Sequence, residues 1–298
     1  MRALLVTICL SAAVIAQSRT GTSSAGLYYE VAGTGPSTAL GASPSTSLGA
    51  SPSTALGASD PVVLIHAFSV DRRMWDPQMP ALQGRFTVIR YDLRGHGKSA
   101  APSAPYSTSD DLRGVLDALD VRRAALVGLS AGSQVATDFA LVSPDRVSRL
   151  VLTSPGVGGL ATPPLTWMQP VLQAAGAGEA ERAAKLWAET PIMALRRDTS
   201  AAATLVDIVM SNSRLWTFRS NPVQPLTPPA IKRLAEIKCP TLVVLGGDDL
   251  PHIKDAANAL ANGINGAKLV TIPGAGHIVN LDARERFNDE LVRFLGGR

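Results

Sequence analysis

Residues 124–142 read AALVGLSAGSQVATDFALV. An unbroken apolar run enters the pentapeptide Gly128-Leu129-Ser130-Ala131-Gly132, and a helix-period pattern leaves it. A continuous apolar run is how a strand buried on both faces reads. A serine between two glycines at a strand-to-helix turn is the nucleophile elbow, G-x-S-x-G. The pentapeptide alone is common; the flanking strand and helix give it weight. Gly128 and Gly132 leave room for the tight turn, and Ser130 is held out at the carboxyl end of its strand in strained backbone.

Working outward, similar apolar runs occur at Pro61–Ala67, Phe86–Asp92, Val147–Pro155, Pro240–Asp248 and Ala267–Gly274, and Leu27–Gly35 has the aromatic and β-branched content of a strand. Helical patterns lie between them, at Ser107–Asp120, Ala131–Ser143, around Ile253–Ala261 and at Ala283–Leu295. Strand alternating with helix predicts an α/β fold, a mostly parallel twisted sheet with helices on both faces. One segment breaks the rhythm. Residues 156–226 lack a strong strand and carry Trp167, Trp187 and Trp216, so they read as a helical insertion or lid between two sheet strands.

A serine hydroxyl is a weak nucleophile and needs a base. His277 stands on a Gly-rich loop just after the last apolar run, with no helix or strand face to pack on. Its imidazole would take the Ser130 proton and return it to the leaving group. The acid that fixes the imidazole tautomer should follow the run Pro240–Asp248, where Asp248 and Asp249 are neighbours and only one can point into the site. The order Ser, Asp, His matches this architecture. Two backbone N–H groups should hold the oxyanion: that of Ala131, after the nucleophile, and that of Phe68, in the loop after the run ending at His66. His66, Asp92 and His96 read as loop-shaping.

The chain of 298 residues is 46% hydrophobic and 17% charged, so a sizeable core is available and disorder is excluded. Its net charge of +4 is scattered, with Arg-Arg pairs beginning at Arg72, Arg122 and Arg196 in separate segments, which argues against a nucleic-acid partner. Residues 1–16 carry Arg2, an apolar run from Ala3 to Ala16, and small residues Val14 and Ala16 before a cleavage point. That is the pattern of a secretory signal peptide, giving a secreted or periplasmic chain cut after Ala16 with no stable membrane span. Cleavage would leave Cys239 as the lone thiol, so no intramolecular disulfide is expected, and no Cys/His cluster has metal spacing. Residues 36–59 are one Ser/Thr/Pro/Gly/Ala octapeptide written three times, a composition that cannot build a core; they read as an expanded surface loop within a domain spanning 17–298.

The segments VVLIHAFSVDRRMW, VIRYDLRGHGKS, LVGLSAG, PTLVVLGGDD and IPGAGHIVNLDARERFNDELVRFL together resemble, in family order, the lidded α/β-hydrolase fold family. The resemblance covers most of Leu27–Leu295 and implies that fold, a catalytic set of Ser130, Asp249 and His277, and no metal or other cofactor. It selects Asp249 over Asp248 because the family acid usually stands three residues after the glycine closing its strand, here Gly246. Two positions depart from the pattern. Ala67 stands where the family usually has glycine after histidine, and Ser133 replaces a frequent second glycine. The implied activity is a serine hydrolase acting on a small carboxylic ester or lactone with an apolar group. Carbon–carbon bond hydrolysis or cofactor-free perhydrolase (haloperoxidase) chemistry on the same residues, and a non-catalytic ligand-binding protein, are the alternatives.

Overall fold

The computed structural model describes residues 18–33, 60–218 and 222–297. The expected signal peptide (1–16) and octapeptide loop (36–59) lie outside them. Among these residues eight strands form one sheet: β1 (Arg19–Thr22), β2 (Tyr28–Ala32), β3 (Val62–Ile65), β4 (Val88–Tyr91), β5 (Ala124–Leu129), β6 (Val147–Thr153), β7 (Thr241–Gly246) and β8 (Lys268–Ile272), in the order β1-β2-β4-β3-β5-β6-β7-β8. From β4 to β8 every pairing is parallel; β1 and β2 form an antiparallel edge that joins through β4. The helices are α1 (Met79–Leu82), α2 (Thr108–Ala118), α3 (Ala131–Val142), α4 (Gln169–Gly176), α5 (Ala180–Ala188), α6 (Ala202–Ser211), α7 (Pro251–Gly263), α8 (Val279–Asp282) and α9 (Arg284–Leu295).

The period of two in the strands sorts their side chains into two layers. Val62, Leu64, Val127 and Val151 face one core with Trp75, Phe287 and Leu291, whereas Val63, Ile65, Leu126 and Leu150 face the other with Leu112, Phe139 and Leu260. Helices α1 and α9 therefore cover one face, and α2, α3 and α7 the other. The insertion between β6 and β7 carries α4, α5 and α6, and Ala183, Trp187 and Ile208 pack into the first core. Among the described residues, no helix is long and apolar enough to cross a membrane.

Two elements differ from the sequence reading. Strand β1 has the sequence Arg-Thr-Gly-Thr, with no apolar signal; it exists because β2 offers it a pairing edge. Strand β8 reads as a buried run, yet it is the far edge of the sheet, and only Ile272 of its five residues is buried.

Candidate active site

Ser130 stands where β5 becomes α3. Its φ of 55° and ψ of −112° lie in a region that a residue bearing a Cβ enters at a cost of ~1–3 kcal/mol. The flanking glycines are needed for close approach rather than for φ. A Cβ on Gly128 would stand 2.3 Å from the Gly132 carbonyl oxygen, and one on Gly132 would stand 2.2 Å from that of Ile65. The turn is secured from behind. The Ser130 N–H donates to Thr153 O at 2.9 Å. Ser133 Oγ donates to Gly128 O at 2.8 Å and accepts the Thr153 N–H at 3.0 Å. Ser133 thus joins α3 to the ends of β5 and β6.

The parallel run from β5 to β8 brings the carboxyl ends of β5, β7 and β8 to one edge. Asp249 follows β7 and His277 follows β8, and both are buried. His277 Nδ1 is 3.1 Å from each carboxylate oxygen of Asp249. Donation of the Nδ1 proton to that carboxylate leaves Nε2 as the basic nitrogen. Asp248 is exposed, and its N–H goes to Ala275 O at 2.9 Å. Burial therefore separates the two neighbours that the strand-end pattern left open. The Ser130 hydroxyl shares this edge and makes no hydrogen bond to His277 or to any other described residue. Such bonds are often long without substrate and tighten when it binds.

The N–H groups of Phe68 and Ala131 donate no hydrogen bond among the described residues. Both residues line one cavity of about 560 Å³, whose wall includes Met168, Leu172, Trp216 and Phe218 from the insertion. The Phe68 ring meets His96, Trp187 and Trp216 edge-on at 5.9, 5.7 and 5.5 Å. The loop holding this residue is built from buried neutral histidines. His66 Nε2 accepts the Leu93 N–H at 2.8 Å, so its Nδ1 donates to Ala67 O at 2.7 Å. His96 Nε2 accepts the Ser69 N–H at 3.4 Å, and its Nδ1 donates to Arg94 O at 3.0 Å. Burial lowers His66 to about 4 and His96 to about 3. Asp92 is likewise buried and accepts the N–H groups of Arg72 and Lys98 at 3.0 and 2.8 Å. All three shape loops, as their sequence positions predict. Ala67 is accommodated without positive φ, its N–H directed to Met74 Sδ at 3.4 Å.

A model of the alpha/beta hydrolase family matches residues 62–290. The chain belongs to this family. It is 33% identical over 233 residues to a 2-hydroxy-6-oxononadienedioate/2-hydroxy-6-oxononatrienedioate hydrolase of Paraburkholderia phymatum, covering 71% of this chain and 77% of that protein. It is 29% identical over 264 residues to RutD of Caulobacter sp. (strain K31), a candidate carbamate hydrolase, covering 79% and 90%. The enol-lactonase of Burkholderia xenovorans LB400 superposes with a TM-score of 0.69 at 25% identity, covering 93% of this chain and all of that one. The relatives are hydrolases of several bond types, and this α/β-hydrolase shares with them a hydrolytic fold and a small-molecule site.

Two further groups at this edge are nearly silent in the sequence. His252, in the first turn of α7, is half-buried and electrostatically coupled to Asp249 and His277, with burial lowering its pKa. Asp282 is fully buried five residues after His277; its one sequence signal is a carboxylate in an otherwise uncharged stretch, Ile278–Ala283.

Proposed function

We propose that this chain is an exported serine hydrolase that cleaves a carboxylic ester or lactone through an acyl-enzyme. The hydrogen bond between His277 Nδ1 and Asp249 carries the reading, because it fixes the imidazole in the tautomer a general base needs. Ser130 Oγ attacks the acyl carbonyl while His277 Nε2 takes its proton. The N–H groups of Phe68 and Ala131, both without an acceptor among the described residues, hold the oxyanion. His277 returns the proton to the departing alcohol, then deprotonates a water that releases the acid and frees Ser130.

The apolar insertion side of the cavity supports an uncharged acyl or alkyl group, and the insertion serves as its lid. Likeness to an enol-lactonase favours a cyclic or acyclic ester. The 33% identity to a dienedioate hydrolase favours, as a second reading, carbon–carbon cleavage of a 2-hydroxy-6-oxo-dienoate by the same residues. Export rests on the pattern of residues 1–16.

A panel of p-nitrophenyl esters of graded acyl length tests the reading, together with labelling by a fluorophosphonate probe. Turnover on the panel and labelling that Ser130→Ala abolishes are expected. Labelling without ester turnover, but with cleavage of a 2-hydroxy-6-oxo-dienoate, would install the second reading. Absence of labelling would make the chain a binding protein that kept the fold.

A further inference from the structure

The loop that presents His277 is held by a group outside the expected catalytic set. Asp282, the last residue of α8, points its carboxylate between two separate segments. Oδ1 accepts the N–H groups of Arg196, Arg197 and Asp198 at 2.7, 2.6 and 3.2 Å. Oδ2 accepts the N–H of Gly276, the residue before His277, at 2.6 Å. The first three amides belong to the insertion, between α5 and α6. Four amide donors offset the cost of burying the charge.

The Gly276 peptide has little freedom on its other sides. A Cβ on Gly276 would stand 2.9 Å from Ala194 O, and Gly276 O lies where a Cβ on Gly246 would approach to 2.1 Å. Arg197 Nη1 adds a second tie, to Pro273 O at 2.8 Å. The acid's strand end, the base's loop and the insertion therefore meet at one peptide bond, and Asp282 is the anion that spans two of the three.

We propose that Asp282 is a positioning residue: it fixes the peptide preceding the base and locks the insertion to it, so that the imidazole's place depends on where the insertion sits. Its contribution to turnover rests on the hydrolase reading; its hold on the imidazole does not. An asparagine cannot substitute. It has one acceptor oxygen, and its NH₂ must face either the 196–198 amides or the Gly276 N–H, donor against donor.

The test is proton NMR of the chain labelled with ¹⁵N-histidine, run beside steady-state kinetics. The downfield proton of His277 Nδ1–H is assigned by its loss in His277→Gln. In Asp282→Asn this resonance should shift or broaden, and kcat should fall at least tenfold with KM within about threefold, at a temperature well below melting. Asp282→Glu keeps the charge on a longer arm and decides the matter should the asparagine variant not fold. It should move the resonance and lower kcat by a smaller factor. Arg197→Ala, which removes the Nη1 tie but no backbone donor, should move the resonance less than either Asp282 variant. A lowered Tm with resonance and kcat unchanged in the Asp282 variants would overturn the proposal. Should the chain hydrolyse no ester, the ester reading alone fails, and the resonance decides whether Asp282 positions His277.

Discussion

At the scale of the residue, two aspartates one bond apart have opposite fates. Asp249 is buried against His277, and Asp248 is in solvent. Removing the charge of Asp249 unlocks the imidazole tautomer, so Asp249→Asn should lower kcat by ~10³-fold or more. Asp248→Asn, altering only an exposed side chain, should stay within about threefold; parallel kinetics on one ester decide. Asp138, on α3, behaves differently again. It is buried, one carboxylate oxygen has no hydrogen-bond partner among the described residues, and burial raises its pKa to about 6, against a smaller pull from Arg233. A carboxyl with a raised folded pKa binds its proton more tightly folded than unfolded. Stability therefore falls as pH rises from about 4 through about 6, by up to ~3 kcal/mol. Asp138→Asn cannot ionise. The Tm of this variant minus that of the parent should grow between pH 4 and pH 7 and level off above; a constant difference would mean that Asp138 ionises freely.

At the scale of the element, the elbow depends on what backs it. Ser133→Ala keeps helix propensity but leaves Gly128 O and the Thr153 N–H without the hydroxyl that serves both. Each buried orphan costs ~1–3 kcal/mol, so a clear loss of Tm is expected by calorimetry, with turnover reduced as the Ser130 turn loosens. The same element explains what could be read beforehand. The run Ala124–Leu129 announces a central strand because it is buried on both faces, and G-x-S-x-G announces a turn because only glycine fits those two approaches. Edges announce nothing comparable. Strand β1 is polar, and β8 looks central although it is exposed, because composition records apolarity but not the number of neighbours. The Asp282 tie was illegible for a related reason. Three of its four partners are backbone amides about 85 positions away, which any residue type would supply. The acid, by contrast, was narrowed to two positions by the strand end, and burial chooses between them.

At the scale of the whole molecule, the repeat of residues 36–59 raises the question of what the connection between β2 and β3 must span. These strands are consecutive in the chain but not in the sheet, since β4 lies between them. Ala32 and Val62 are both level with Val88. They are thus two strand spacings apart, about 10 Å. Deleting Pro36–Ser59 leaves Gly33, Thr34, Gly35, Asp60 and Pro61 to bridge them. Such a stretch reaches ~20 Å when extended, enough to cross β4 without pulling either strand. By the scaling of loop closure with length, shortening the connection from residues 33–61 to these five lowers its closure entropy cost by about 1.5 kcal/mol. Every residue of the candidate site follows β3, and none lies in the deleted stretch. The deletion variant should therefore melt at the parent temperature or a few degrees above it and retain ester turnover, as differential scanning calorimetry and the p-nitrophenyl assay would report. A large loss of either would make the octapeptides part of the fold rather than an expansion tolerated at its surface.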